Sequence, residues 1–521
     1  MSESKLTQIR REKHRSLNGG SYPLANGAFS KIDILLDLCN SLPAETPLDP
    51  AALGTPLTVR GRIAALRRSG GITFIKVFDG TGSIQLIATK AVLADYTNLT
   101  LLDLGDIVEI IGQLCRSKTG ERSILINSWS LLTKSILPPP EKWVGLVNVE
   151  TKYRQRYLDL MSSEESRAVF TVRSHVLRAL RSFMEDKGFM EVETSTLNAV
   201  SSGANATPFV THHKALDTNL FLRIAPEPYL KRLLVGGFDK VFEIGRNYRN
   251  EGLSTRHNPE FTMMEFYEAY ANFDKLLVYT QDMLSYVEQY LTLHMENTFV
   301  YPYLQKWASE RTFTFSRFST ISMWAAVELA ASKAGISINE ETLMVEIVDL
   351  GNERLQSIKI AEMFHDLEEA VLPGEKIVIL FEYLAEPFLT VDYTHTENGK
   401  ALSVPVFVTD YPSDVCPLAR TRDSNPDVCD RFELFVNGME LCNAFQELNN
   451  PDEQAAKFKD QLESNQKDPM GYDADYIEAL SYGMPPAIGF GMGIERLVML
   501  ITNTQSIKDV ILFPTLKKEN T

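Results

Sequence analysis

Between Leu57 and Leu131 the chain alternates apolar and polar residues in short bursts, and no other feature narrows the fold as sharply. The bursts are Leu57–Arg62, Ile72–Phe78, Ser83–Thr89, Ile107–Leu114 and Ser123–Leu131. A period of two sends successive side chains to opposite faces, which marks strands buried on one side. Ser69-Gly70-Gly71, Asp79-Gly80-Thr81-Gly82 and Lys118-Thr119-Gly120 separate them, residues suited to reversing the chain. Five short strands with these turns predict a small Greek-key barrel.

The barrel is of the oligonucleotide-binding (OB) type and occupies 55–135, behind a helical extension at 1–54 that breaks around Asn18-Gly19-Gly20 and Tyr22-Pro23. Pro138-Pro139-Pro140 marks a stiff linker over 136–150. Residues 151–521 mix helices and strands, so the expected class is α+β: a barrel followed by an antiparallel sheet flanked by helices. Ser163–Lys187 is a strongly periodic helix, Met190–Thr194 a strand, Glu227–Leu234 and 272–294 further helices. A mostly helical insertion is expected around 300–390, a small hairpin or loop at 390–403, and strands again from 404.

The formal charge of −16 argues against nonspecific coating of nucleic acid. It leaves room for local basic patches, at Arg10–Arg15 or at Arg60, Arg62, Arg67, Arg68 and Lys76, although each cluster also reads as a solvated face. No run approaches the ~18 apolar residues of a membrane span. The start lacks the apolar core of a secretory signal. Five scattered cysteines without a CxxC pair point to reduced thiols in a cytoplasmic protein, with neither zinc nor a disulfide framework.

Residues 246–268, RNYRNEGLSTRHNPEFTMMEFYE, gather Arg246, Arg249 and Arg256 with His257 and Phe261 about a polar loop, Arg232 lying upstream. Strand-like runs flank the loop, and cations converging on a hairpin with an aromatic on its return strand suit ATP, although the stretch also reads as a solvated turn between two edge strands. By parity Glu243, Asn247 and Arg249 share one face, as do Phe261, Met263, Glu265 and Tyr267. Carboxyl and phenol on a packed sheet are expected to face a ligand.

A second constellation is ELFVNGMELCNAFQE at 433–447. Asn437-Gly438 predicts a two-residue turn pairing Val436 with Met439 and Phe435 with Glu440. Glu433 and Glu440 then lie on one face as a Mg²⁺ pair, or else as an exposed acidic face. Asn443, Phe445 and Glu447 have the opposite parity and join them only if the strand bulges near Leu441–Asn443. The third is Gly489-Phe-Gly-Met-Gly-Ile-Glu-Arg496, opening a helix to about Ile501. No βαβ unit surrounds its glycines, so they read as close-packing positions that deliver Arg496 to a ligand. No GxxxxGK[ST] occurs, which removes the P-loop ATPases.

In order and spacing these segments resemble the signature motifs of class II aminoacyl-tRNA synthetases. Motif 1 lies around Lys187–Thr194, motif 2 at 242–268 and motif 3 at 489–501. With the barrel in front, the chain resembles the subgroup charging lysine, aspartate or asparagine. RREK at 10–13, RYLDL at 156–160, RIAPE at 223–227, HNPEFTMME at 257–265 and NAFQELN at 443–449 resemble the lysyl-tRNA synthetase family over nearly the whole chain.

That resemblance implies activation of L-lysine by ATP to lysyl-adenylate and transfer to the 3′-terminal adenosine of tRNA(Lys), by a homodimer using Mg²⁺. It implies Arg249 and Arg496 as catalytic residues. Arg249 would hold the α-phosphate and the amino acid's carboxylate, Glu251 would read the adenine amino group, and Phe261 and Arg496 would cover the base, with His257 and Asn258 on phosphate or nucleotide. Gly203 and Glu227 would take the α-amino group, Tyr267 and Glu447 the ε-ammonium, while Glu265, Asn443 and Phe445 line the pocket. Glu433 and Glu440 would hold Mg²⁺, and Arg67, Phe74, Gln85 and Glu121 would meet a uridine-rich anticodon. The residues agree on sign: Glu227, Glu265, Glu447 and a phenol suit an ammonium rather than a carboxylate.

The chain departs from the family pattern at Ser195, where motif 1 usually carries proline, and at Ser202-Gly203-Ala204, usually Gly-Gly-Ala. It departs also at Pro228, which suits a helix's first turn, and at Cys442 and Ala444, where many members have glycines. Two rivals stand beside this reading: a synthetase-like enzyme that lysylates a protein, and a catalytically inactive nucleic-acid-binding paralogue.

Overall fold

The computed structural model describes residues 4–140, 148–204, 206–464 and 472–518, so 141–147 of the expected linker lie outside the described residues. The chain forms two compact units, 1–168 with 295–302, and 169–294 with 303–521.

In the first unit, helices α1 (Lys5–Asn18) and α2 (Ile32–Asn40) precede five strands. These are β1 (Leu57–Ser69), β2 (Ile72–Phe78), β3 (Ser83–Thr89), β4 (Ile107–Arg116) and β5 (Arg122–Thr133). They close in the order β1-β2-β3-β5-β4, through parallel β3–β5 and antiparallel β4–β1 pairings. The alternating residues fill the interior: Val59, Ile75, Val77, Leu86 and Val108 are fully buried, and α2 adds Ile32 and Leu35 to the same core. β1 runs seven residues past Arg62, the end that simple alternation predicts, because a bulge between Ile63 and Ala65 breaks the period while pairing with β2 continues to Ser69.

The second unit is built on a nine-stranded sheet. Its strands are β6 (Met190–Glu191), β7 (Lys240–Tyr248), β8 (Glu260–Ala269), β9 (Ser319–Ser322), β10 (Val406–Pro412), β11 (Asn425–Val436), β12 (Met439–Gln446) and β13 (Ala487–Gly493), with Thr421–Arg422 paired to β11. The order is β9-β10-β11-β12-β13-β8-β7-β6, antiparallel except at the β9–β10 and β6–β7 edges. The expected strand Met190–Thr194 stops at Glu191. Its continuation leaves the ladder because Thr194 turns its amide (3.2 Å) and hydroxyl (2.7 Å) to the Glu243 carboxylate.

Helices α3 (Glu164–Asp186), α4 (Glu227–Val235), α5 (Phe273–Met295) and α6 (Ile494–Thr502) flank the sheet. Behind it Phe266 stacks on Phe490 with ring centroids 4.8 Å apart and meets Phe189 edge-on at 5.2 Å. Pro228 stands in the first turn of α4, where its missing N–H leaves no bond unmade. Helices dominate 300–390, yet that stretch also supplies β9 to the sheet and a ribbon of Ile336–Ile338 with Val345–Ile347. The hairpin at 390–403 is present as Thr394–Glu397 with Lys400–Ser403.

The β11–β12 turn is of the expected type, with Asn437 and Gly438 at φ 51° and 71° and the pairs Val436–Met439 and Phe435–Glu440. Leu434 next pairs with Cys442, which leaves Leu441 as an extra residue. This bulge puts Asn443 opposite Glu433 and Phe445 opposite Arg431.

Candidate active site

Strand β13 lies between β8 and β12, and its glycines alternate with large side chains. Gly489 pairs with Tyr267 on one side and Phe445 on the other, and Gly491 with Glu265 and Asn443. Phe490 and Met492 turn into the core at 2% and 1% exposure. From Gly489 to Gly493 the opposite face of β13 therefore carries no side chains, while its neighbours on both sides do. A cavity of about 530 Å³ opens over this glycine floor. A methyl group at Gly489 would fall 1.8 Å from Glu447 Oε1 and 2.6 Å from Tyr267 Cε1. The GxGxG segment is thus an open floor as well as a route to helix α6, a meaning its period of two alone could have disclosed.

At one end of the cavity stand Arg249, Glu251, His257, Asn258, Phe261 and Arg496, the residues expected around ATP. The Arg249 guanidinium lies 5.3 Å from the Phe261 ring centroid, and its buried Nε has no hydrogen-bond partner. A buried unpaired donor on a cation is an exception that an anion would resolve. Arg496 Nη1 donates to the Glu440 carbonyl (2.5 Å) and carboxylate (3.1 Å), while its Nη2 lies 3.3 Å from His257 Nε2. Burial, then the neighbouring Arg496, lowers the His257 pKa. Arg256 Nη1 donates to Gly438 O at 2.7 Å, tying the motif 2 loop to the β11–β12 turn.

Two of the cations grouped by sequence do not converge here. Arg246 is exposed and faces Glu260 at 3.4 Å, because three residues of strand separate it in parity from Arg249. Arg232 instead holds Asp473 at 2.8 Å.

The other end of the cavity carries carboxyls. Glu227, Glu265, Tyr267, Asn443 and Phe445 line it, with Gly203 at the rim. Gly203 has φ 99°, and a Cβ there would meet Pro228 Cδ at 2.7 Å. Ser202 Oγ donates to Asp473 Oδ2 at 2.9 Å, anchoring that loop. Tyr267 donates to Glu265 Oε2 at 3.1 Å. Burial and then Glu227 push the Glu265 carboxyl up to about 8.

Glu447, 1% exposed, sits behind the floor rather than on the cavity wall. Its Oε2 is ion-paired with Lys231, and its buried Oε1 has no hydrogen-bond partner. Lys231, fully buried, also binds Glu227 Oε1 at 2.6 Å. Sequence reasoning missed this lysine, although Glu227 and Lys231 are four apart on a helix, the spacing at which side chains meet.

Glu433 is held by Arg431 at 2.6 Å just outside the cavity lining, and Glu440 lines the cavity beneath Arg496. Burial, then Glu440, raises the Glu433 carboxyl to about 7. The two carboxyls remain short of positive charge despite both arginines, so a divalent cation fits them. Among the described residues no three potential ligands cluster, and further oxygens would have to come from phosphate or water.

On the barrel, Arg67 pairs with Phe74 across β1–β2 and its guanidinium lies 5.2 Å from the ring centroid. Phe74 is half-buried against the small cluster of Ile87, Cys115 and Leu125, so one side of the ring packs while the outer side carries Arg67. Gln85 Nε2 donates to Ser123 Oγ at 3.0 Å, and Glu121 is exposed just before β5.

A barrel of this topology and a glycine-floored cleft in an antiparallel sheet agree with two family descriptions. Residues 57–132 match the OB-fold nucleic acid binding domain, and 148–517 match the class II tRNA synthetases (D, K and N). The Lysine--tRNA ligase of Aromatoleum aromaticum is 41% identical, over 99% of this chain and 97% of its own length. Those of Serratia proteamaculans and Yersinia pestis are each 42% identical, covering 90% and 98% of this chain and 88% and 96% of their own lengths. The chain belongs to the lysine–tRNA ligase family of class II aminoacyl-tRNA synthetases.

Proposed function

We propose that the cavity forms lysyl-adenylate from L-lysine and ATP, and that lysine is then transferred to the 3′-terminal adenosine of tRNA(Lys). The observation carrying this reading is the open glycine floor between Glu265 and Tyr267 on one side and Asn443 and Phe445 on the other, with Glu447 Oε1 unpartnered behind Gly489. Carboxyls predominate at one end of this site and guanidinium groups at the other, as a lysine with its carboxylate turned toward ATP requires.

Arg249 receives the lysine carboxylate and the α-phosphate, so its unpaired Nε gains an acceptor. Phe261 and Arg496 sandwich the adenine, Glu251 reads its amino group, and His257 and Asn258 meet phosphate or nucleotide. Gly203 and Glu227 take the α-amino group; Tyr267 and Glu447 take the ε-ammonium, beside Glu265, Asn443 and Phe445. The carboxylate oxygen attacks the α-phosphorus in line and pyrophosphate leaves. Arg249 and Arg496 stabilise the charge that builds on phosphate. Glu433 and Glu440 would hold Mg²⁺, which supplies further neutralisation of phosphate charge when bound. A hydroxyl of the terminal adenosine then attacks the acyl carbon and AMP leaves.

The barrel offers Arg67, Phe74, Gln85 and Glu121 to the anticodon, with unstacked bases resting on Phe74. We place the enzyme in the cytoplasm as a homodimer; five free cysteines support the reducing compartment, and among the described residues no helix is long and apolar enough to cross a membrane. The OB match at 57–132 favours tRNA over a protein as acceptor.

The test is lysine-dependent ATP–pyrophosphate exchange followed by tRNA charging, in the wild type and in Glu447→Gln. The substitution removes one member of a buried charge pair, worth on the order of 3–5 kcal/mol, and is expected to reduce exchange by at least about a hundredfold. Near-normal exchange in Glu447→Gln would refute the ammonium role of that residue.

A further inference from the structure

Lys231 is buried completely, yet its ammonium touches two of the carboxylates assigned to opposite ends of the substrate. It binds Oε1 of Glu227 at 2.6 Å and is ion-paired with Oε2 of Glu447. Glu227 and Lys231 sit one turn apart on α4, and Glu447 follows β12, so the lysine joins two elements distant in sequence. The Phe445 ring lies 5.5 Å from the ammonium, on the same side as the pocket. Glu447 Oε1 is left without a hydrogen-bond partner, next to the position where a Cβ on Gly489 would stand.

Charge counting gives the arrangement a purpose. Glu227, Glu265 and Glu447 can supply three negative charges, and Lys231 neutralises one. Two remain, the number of ammonium groups on lysine, while Arg249 is kept for the substrate carboxylate. An uncompensated third carboxylate in a buried site would take up a proton instead of binding an ammonium.

We propose that Lys231 is a positioning and specificity-determining residue: it clamps Glu227 and Glu447 through one oxygen each, sets the distance between the two ammonium acceptors, and fixes the pocket's charge for a diammonium substrate. This rests on the proposed roles of Glu227 and Glu447. A shorter diamine such as ornithine cannot span acceptors held at the lysine spacing. Burial alone would depress the Lys231 pKa, but Glu227 and Glu447 hold it well above the ordinary range, so the clamp stays charged throughout the working pH. The groups facing the clamp are Glu227 on its own helix, Glu447, Tyr476 from the helix Ala474–Ser481, and, through Glu447, Glu265 and Tyr267 on β8.

The experiment compares Lys231→Met, Lys231→Arg and Glu447→Gln in ATP–pyrophosphate exchange with lysine and ornithine, from about pH 6.5 to 9. Lys231→Met is expected to raise the lysine KM at least about tenfold with the ATP KM within about twofold. It should narrow the lysine–ornithine preference and move the alkaline rise of kcat/KM for lysine to higher pH, because the remaining carboxyls lose a cation. Lys231→Arg should recover the pH profile but not the full preference. Should Lys231→Met fold poorly, the same change is made in the Glu447→Gln background. There it leaves one fewer buried charge unpaired, and its added effect on lysine KM should be far smaller than in the wild type. Wild-type lysine KM, preference and pH profile in folded Lys231→Met, or additive effects in the double variant, would overturn the role of Lys231 alone. An unchanged lysine KM in Glu447→Gln would overturn the pocket reading and this proposal together.

Discussion

Glu265→Gln should make the empty enzyme more stable at alkaline pH while it impairs lysine activation, and the size of the effect follows from the structure. The carboxyl is buried on β8 with Tyr267 as its hydrogen-bond partner, and burial and Glu227 raise it from 4.5 to about 8. A folded-state pKa above the unfolded value means the folded enzyme holds the proton more tightly. Stability is then fully present below about 4.5, declines as pH rises, and is lost once pH passes about 8. Between pH 6 and 8 the decline amounts to about 2 kcal/mol, from 1.36 kcal/mol per pH unit with rounding near the folded pKa.

Glutamine mimics the neutral acid and has no such slope. Urea unfolding of ligand-free enzyme at pH 6, 7 and 8 should therefore show the variant gaining about 2 kcal/mol over the wild type across that range. Lysine reverses the ordering, because its ammonium favours the ionised carboxyl that only the wild type has. Calorimetry at pH 7 in buffers of different ionisation enthalpy should find lysine binding releasing close to one proton per site from the wild type and none from the variant. Parallel stability curves for the two proteins, with a lysine-binding enthalpy independent of buffer, would refute the argument.

Two further outcomes follow from the geometry. Gly489→Ala places a methyl group 1.8 Å from Glu447 Oε1, and lysine-dependent exchange should fall by about a hundredfold with ATP affinity little changed; ordinary lysine kinetics would show that the floor tolerates a side chain. Phe74→Ala removes a stacking platform valued at ~1–3 kcal/mol per base, so the KM for tRNA should rise by about fivefold to a hundredfold while exchange without tRNA stays intact. An equal loss in both assays would place Phe74 in the barrel's packing instead.

Elements set by local chemistry are legible in the residues themselves. The period-two runs gave the barrel strands to within a residue or two at β2 and β3, and Asn437-Gly438 gave both the turn and its register. The bulge that lets Asn443 and Phe445 join Glu440 was required by parity and is found at Leu441. What stayed hidden depends on neighbours distant in sequence. Arg232 looks like a third cation for the motif 2 loop until Asp473, 241 positions away, takes it up. Ser319–Ser322 lies in a helical stretch and becomes a strand only because β10 offers a parallel edge. Lys231 reads as an ordinary helix lysine, and its partner Glu447 comes from 216 positions later in the chain.

Leu441 makes strand β12 a segment with two reading frames. Upstream of it, Glu440 is phased for the end of the cavity that carries Arg249 and Arg496; downstream, Asn443 and Phe445 are rephased for the end lined by Glu265 and Tyr267, on the same face. Deleting this one leucine leaves every functional side chain in the sequence yet turns the downstream set into the core, while its insertion costs only a local irregularity in the ladder. On the proposed roles, the recognition of two dissimilar ligands by a single strand is encoded as a spacing, and substitution scans, which preserve spacing, would pass over it.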